Sequence, residues 1–387
     1  MADPEVVISQ HGAGRLLAGH LWVYRSDIHS AAAEAGEVVR VVDERGRFFG
    51  RAFFSDRSEI CVRVVTRDDV PVDRAFLTER IQRAARLRQP MIEGSRAYRL
   101  FYAESDQIPS LVIDRYGDYL VIQTLSQATE RRKELLVDIL VEIFAPLGIL
   151  ERNDPKVRQL EGLDQKVSLL YGNVPDEVIA CEGELKIAYD LYHGQKTGGF
   201  LDQRQNRHAA ARYARGEILD CFAGTGSFAV TLAPHAEHIE AIDLSPPALA
   251  GAGRNLELNH AENVSLREAN AFDVLRAYDD AGRRFDTIVL DPPAFAKNKR
   301  NIVAACRGYK EINLRSLRLL RPEGFLITCS CSHHISEALF AQILGEASLD
   351  AHRHVAVVER RTQASDHPIL LAMPETNYIK LFIMHVL

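Results

Sequence analysis

Two thiols stand two residues apart in Thr328-Cys329-Ser330-Cys331-Ser332. The apolar run before them, Gly324–Cys329, reads as a buried strand, so both lie at or near its carboxyl end. Two thiols are too few for a structural zinc site, and the six cysteines show no CxxC pair and no disulfide-like framework. A thiolate is, however, a nucleophile. Added to carbon 6 of a pyrimidine, it makes carbon 5 enamine-like and able to accept an electrophilic methyl group. A free thiol with a pKa of about 8.5 is only a few per cent ionised at pH 7, so such a site needs a cation close by. His333 and His334 follow at once and are read either as that help or as a cap for the next helix.

A second constellation is Ile218-Leu-Asp-Cys-Phe-Ala-Gly-Thr-Gly-Ser-Phe228. A buried strand runs into Asp220, and Gly224-x-Gly226 turns the chain into a helix, letting backbone approach a ligand. Asp243 closes the next strand, where a carboxylate can accept hydrogen bonds from both hydroxyls of a ribose. Gly224-x-Gly226-x-x-Ala229 also fits a dinucleotide fingerprint, so the glycines alone are weak evidence. Asp220 tips the balance: a carboxylate ahead of the glycines suits the cationic amino group of S-adenosylmethionine and repels a pyrophosphate. Asp273, after the third strand, is placed to accept from an adenine amino group. The fourth strand runs into Asp291-Pro292-Pro293-Ala294-Phe295, a stiff turn. Such a turn can present a carboxylate or carbonyl to a base edge, with Phe295 as a stacking face. Since ligands of open α/β sheets sit beyond the carboxyl strand ends, Asp291 and the two thiols should converge there.

The elements that must hold these groups are legible as patterns. The last two hundred residues alternate strand and helix, with strands at Glu217–Cys221, His238–Asp243, Ser265–Arg267, Thr287–Asp291, Gly324–Cys329 and Tyr378–Met384. That alternation predicts a parallel α/β sheet with helices on both faces. The first seventy residues predict a small β barrel, with strands at 37–43, 47–54 and 60–65 and a turn over Asp43–Gly46. Between them lie a helix over 73–89, with Phe76, Leu77, Ile81, Ala84, Ala85 and Leu87 on one face, a hairpin (110–114 with 119–123) and a helix over 129–144. A length of 387 residues suits two to three domains, and 47% hydrophobic with 26% charged residues excludes a disordered chain. No stretch approaches a membrane span and the start is not a secretory signal, so a cytoplasmic protein is expected.

The motifs taken in order resemble the RlmI-type family of bacterial 23S ribosomal RNA cytosine-5 methyltransferases. Gly19-His-Leu-Trp-Val-Tyr-Arg25 resembles the family's N-terminal PUA-like RNA-binding domain, and Ala103–Asp118 its small central α/β domain. Gly194–Arg207 resembles the segment entering the Rossmann-like class I methyltransferase domain. Asp-x-Phe-x-Gly-x-Gly, Asp-Pro-Pro-x-Phe, Thr-Cys-Ser-Cys-Ser, Asp366-His-Pro and Tyr378-Ile-Lys-Leu follow in family order. The resemblance implies domains at 1–71, 72–180 and 181–387. It implies S-adenosylmethionine held near Gln203, Arg204, Asp220, Phe222, Gly224, Gly226, Asp243, Asp273 and Asp291, and the target base near Asp291, Pro292, Pro293 and Phe295. The nucleophile is Cys329 or Cys331; both sulfurs would share a strand face, and Cys331, nearer the loop, is preferred. Some relatives carry a further thiol after the fourth strand to help release product. This chain has none there, which leaves the other thiol, Asp291 or water. Gly198-Gly199-Phe200 departs from the family's Gly-Phe-Phe.

A net charge of −6 argues against RNA binding through bulk charge. It is an average, however. Residues 1–100 hold sixteen arginines, fourteen acidic residues and no lysine, so the RNA handle is expected there, on Arg15, Arg25, Arg51, Arg63 and the helix carrying Arg80–Arg88. Trp22 is expected in the core. A base-nitrogen RNA methyltransferase, an NAD-dependent oxidoreductase and an inactive RNA-binding assembly factor are the other readings. The oligomeric state is open, a homodimer included.

Overall fold

The computed structural model describes residues 4–92, 94–296 and 299–387. They divide into two compact units. The first is the chain through Gly183 with Tyr189–Asp202 and Ser365–Thr376; the second is Glu184–Ala188, Gln203–Ala364 and Asn377–Leu387.

The first unit opens with six strands, β1 (Glu5–Ile8), β2 (Trp22–Tyr24), β3 (Ile28–Ala31), β4 (Val38–Asp43), β5 (Phe48–Phe54) and β6 (Ile60–Thr66), and the helix α1 (Gln10–Leu17) after β1. They form one sheet in the order β2-β6-β5-β4-β1-β3, with β1 parallel to β4. Alternate residues such as Val39 and Val41, or Val62 and Val64, point into a common core. The β4–β5 turn forms where expected because the Asp43 carboxylate accepts the N–H groups of Arg45 and Arg47 and Gly46 takes φ 76°.

A second sheet follows, in the order β11-β10-β9-β8-β7. Its strands are β7 (Ala97–Tyr102), β8 (Leu111–Tyr116), β9 (Tyr119–Thr124), β10 (Gly148–Asn153) and β11 (Lys166–Gly172). The helix α2 (Arg74–Arg88), capped by Asp73, buries Leu77, Ile81, Ala84 and Arg88. The spacing is helical, but the last member is an arginine and the expected Leu87 is exposed. Arg88 is held by both oxygens of Asp106 at 2.8 and 2.6 Å and by the carbonyls of Arg99 and Asp366. The helix expected over 129–144 is two, α3 (Gln127–Arg131) and α4 (Lys133–Phe144). The Arg132 guanidinium takes the Ala128 carbonyl that a continuous helix would use. The short helix α5 is Val157–Leu160 and the strand β12 is Val178–Glu182.

The departure at Gly199 has a steric cause: a Cβ there would meet the Tyr189 ring at 2.6 Å. Two expected RNA contacts are corrected. Arg88 is buried as above, and Arg63 is buried in an ion pair with Glu161 at 2.6 Å. Trp22 is half-buried rather than core, its Nε1 donating to Glu104.

The second unit takes in the strand β13 (Leu185–Tyr189) apart from Tyr189 itself. It then alternates α6 (Arg204–Ala211), β14 (Glu217–Cys221), α7 (Ser227–Leu232), β15 (His238–Asp243), α8 (Pro246–Leu258), β16 (Val264–Glu268), α9 (Ala271–Asp280) and β17 (Phe285–Leu290). The helix α10 (Ile302–Leu319), β18 (Leu320–Ser330), α11 (Glu337–Asp350), β19 (Val355–Arg361) and β20 (Lys380–Val386) complete it. The sheet order is β16-β15-β14-β17-β18-β20-β19. The strands β14 to β18 are parallel, but β20 runs antiparallel between β18 and β19. The expected all-parallel sheet is corrected at this edge. A seventh strand inserted antiparallel also departs from the 3-2-1-4-5-6 order of dinucleotide-binding sheets. No helix of the described residues is long and apolar enough to cross a membrane.

Candidate active site

The cofactor loop begins where β14 ends. Phe222 (φ 65°), Gly224 (φ 55°) and Gly226 (φ 72°) all adopt left-handed backbone. A Cβ on Gly226 would press against the Ala252 Cβ at 2.9 Å, whereas one on Gly224 would meet nothing within 4 Å. Gly226 is thus required by packing, and Gly224 borders open space. The Gly224 N–H donates to Asp243 Oδ2 at 2.8 Å and the Ser245 N–H to Oδ1 at 2.9 Å, so the loop and the end of β15 are fixed together.

Asp220 lies beneath this loop. It is 1% exposed, and neither carboxylate oxygen has a hydrogen-bond partner among the described residues. Burial pushes its pKa well up and the charge of Asp291 adds to that, with a smaller addition from Asp243; the nearby Ala229 N–H opposes the shift. A group left so is suited to a cationic ligand atom. Asp273 is exposed in the first turn of α9, whose cap is Asn270. The Phe222, Phe272 and Phe295 rings gather with centroids 5.8 to 6.4 Å apart, and Phe295 packs on Tyr309 at 4.6 Å.

At the ends of β17 and β18 the expected groups converge. Gln203, just ahead of α6, is buried; its Nε2 donates to Asp291 Oδ1 at 2.9 Å and to Cys329 Sγ at 3.2 Å, while Oε1 accepts from Asn206. Arg204 is buried at the start of α6. Cys329 sits inside the strand, 1% exposed. Burial pushes its thiol well above the ordinary range, with Asp291 adding to the shift. The strand ends at Ser330, so Cys331 lies in the following loop, half-buried, and its Sγ approaches the Pro292 carbonyl at 3.8 Å. The expected shared strand face for the two sulfurs therefore does not extend to Cys331. Pro292 is buried and Pro293 exposed.

Three contributors were not singled out in the sequence. Ser332 Oγ accepts the Ala296 N–H at 3.2 Å and lies 2.9 Å from the Tyr309 hydroxyl. Lys380 Nζ donates to the Ser332 carbonyl. Only the lysine left a signal, a single charge in an apolar closing strand. The cap of α11 is Ser336, not a histidine. No cluster of metal-ligating side chains occurs among the described residues.

Comparison with known proteins agrees with this geometry. Residues 6–67 match a PUA-like domain model and residues 214–370 a methyltransferase domain model. Two solved structures share the whole fold. One is SMU.776 bound to SAH (TM-score 0.86, 21% identity, 99% of this chain and 100% of that one). The other is a proposed SAM-dependent methyltransferase from Streptococcus mutans (TM-score 0.84, 20% identity, 99% and 100%). The fold is therefore a PUA-like domain followed by a class I methyltransferase domain. Proteins named ribosomal RNA large subunit methyltransferase I are far closer in sequence. That of Tolumonas auensis is 43% identical over 94% of this chain and 95% of its own. That of Shewanella amazonensis is 44% identical over 95% of each. With identity of this order sustained end to end, the chain belongs to the ribosomal RNA large subunit methyltransferase I family.

Proposed function

We propose that this chain methylates carbon 5 of a cytosine in 23S ribosomal RNA, with S-adenosylmethionine as donor and Cys331 as covalent nucleophile. The observation that carries the reading is the contrast between the two thiols. Cys329 is buried and bonded to Gln203, whereas Cys331 is half-buried in the loop beside the Asp-Pro-Pro turn.

The residues present suit the cofactor. Asp220, buried with both oxygens unpartnered, answers an ammonium group, and Gly224 leaves room for backbone approach. Asp243 keeps lone pairs for ribose hydroxyls, Asp273 lies open for an adenine amino group, and Gln203, Arg204 and Phe222 complete the walls. When bound, S-adenosylmethionine would supply an electrophilic methyl group, its sulfur–methyl bond breaking to leave S-adenosylhomocysteine. Cys331 adds to carbon 6 of the cytosine, and the π pair of the carbon 5–carbon 6 bond moves to carbon 5. Once carbon 5 holds the methyl group, a base removes its proton. The electron pair restores the double bond as the sulfur–carbon 6 bond breaks. The raised thiol of Cys329 makes it a poor base at neutral pH, which favours Asp291 or water. Pro292, Pro293 and Phe295 would frame the extruded base.

The domains are read as 1–71, 72–180 and 181–387; the first would serve as the RNA handle through Arg25 and Arg51, with the exposed side of α2 in the second beside it. A ribosomal RNA substrate implies a cytoplasmic enzyme. Trapping with RNA containing 5-fluorocytosine at the target tests the reading, because fluorine cannot leave as the proton does. An RNA adduct mapped to Cys331 is expected. No adduct, with full activity after replacing both thiols by Ala, would instead identify a base-nitrogen methyltransferase. RNA binding without any transfer would identify an assembly factor.

A further inference from the structure

The reaction described above leaves Lys380 unused, yet its position is unusual. It opens β20 opposite Ser330 and is only 6% exposed. Its Nζ donates to the carbonyls of Ser332 (2.7 Å) and Tyr378 (3.0 Å). Among the described residues it forms no ion pair with a carboxylate. Glu337, in the first turn of α11, is the one carboxylate acting on it, and that group lies 3.8 Å from Arg360. A buried ammonium without an anion is costly to keep. The other groups facing it are the thiols of Cys329 and Cys331. Around those thiols stand Asp291, which opposes ionisation of Cys329, and Tyr309, which burial pushes up to about 12 and so keeps neutral. Lys380 is the cation whose ammonium reaches the Cys331 loop, through the Ser332 carbonyl.

We propose that Lys380 is a positioning residue that supplies the positive charge stabilising the Cys331 thiolate and, through the Ser332 carbonyl, holds the Cys331 loop at the carboxyl edge of the sheet. The inference rests on Cys331 as nucleophile. Lys380 takes the part expected of His333 or His334: His333 is exposed, and the two imidazoles pack on each other at 5.5 Å. The ammonium reaches the loop from the neighbouring antiparallel strand, so the strand that breaks the parallel order also carries the charge.

The test needs neither RNA nor cofactor. Alkylation of Cys331 by iodoacetamide is followed by peptide mass mapping from pH 6 to 10 in the full chain, in Lys380→Met and in Lys380→Arg. Loss of the charge should raise the midpoint by about one unit and slow alkylation at pH 7 about tenfold. Lys380→Arg should stay close to the parent. An unchanged midpoint in Lys380→Met overturns the proposal. So does an equal shift in both variants, which would reveal a merely structural role. Should Lys380→Met fail to fold, Lys380→Gln is read by the same criteria. The fluorocytosine trap is run alongside. An RNA adduct on Cys331 with unshifted alkylation overturns this inference alone. A shifted midpoint with the adduct on Cys329, or with none, overturns the nucleophile assignment and leaves the charge effect standing.

Discussion

The hydroxyl of Ser332 lies 2.9 Å from that of Tyr309, and the same Ser332 oxygen accepts the Ala296 N–H. One buried oxygen thus ties the loop after β18 to the Asp-Pro-Pro turn and to α10. Ser332→Ala strands the buried Ala296 N–H and removes one partner of the Tyr309 hydroxyl, which costs about 1–3 kcal/mol. Urea unfolding should show that loss, and turnover should fall with little change in KM for S-adenosylmethionine. Tyr309→Phe should cost less, since Ala296 keeps its acceptor.

The two thiols should separate cleanly. Cys331→Ala is expected to lower single-turnover methyl transfer at least about 10³-fold, as loss of a covalent nucleophile does. Cys329→Ala should stay within about tenfold of the parent, since it loses packing and its contacts with Gln203 and Asp291 but no covalent step. Equal losses in both would contradict the assignment.

Asp220 predicts a pH-dependent affinity. Its pKa is raised in the free protein, so it must release a proton to pair with the ligand's ammonium. Affinity for S-adenosylmethionine should therefore rise with pH until the carboxyl is ionised. Calorimetry should find binding weakened about 10- to 100-fold in Asp220→Asn, and this pH dependence abolished. A variant with the parent's slope would remove Asp220 from the site.

Acid stability should report on Glu151 in β10. Burial pushes its carboxyl up, but hydrogen bonds from Lys133, Ser168, Asn153 and Lys166 outweigh that and hold it at about 2. A depressed pKa adds stability that is complete above the unfolded value of about 4.3 and is lost as pH falls through the folded one. The Tm gap between the parent and Glu151→Gln should hold from pH 7 to about 5 and shrink toward pH 2. A gap constant over the whole range would argue against it.

The parallel strands could be located from the sequence because burial on both faces gives continuous apolar runs such as Ile218–Leu219 and Ile288–Leu290. The edge strand β19 was not, since Glu359, Arg360 and Arg361 dilute its pattern. At Arg88 the helical period was right and the residue type misled: an arginine fills a core position because Asp106 answers it. The Asp220 and Asp291 motifs were legible because loop chemistry constrains residue type. Lys380 was not, because its meaning depends on a carbonyl supplied by another strand.

The segment Ser365–Thr376 lies between β19 and β20 in sequence, yet it belongs to the first unit. There the Asp366 carbonyl caps Arg88 and its carboxylate accepts the Arg99 N–H. During synthesis, then, the first unit waits for a segment 278 residues downstream of Arg88 before the contacts of that buried arginine are complete. Folding one unit at a time behind the ribosome, the usual order for a multidomain chain, is closed to it. A nascent chain stalled with its last exposed residue at Ala364 should still be cut readily by protease near Arg88, and one stalled past Thr376 should resist.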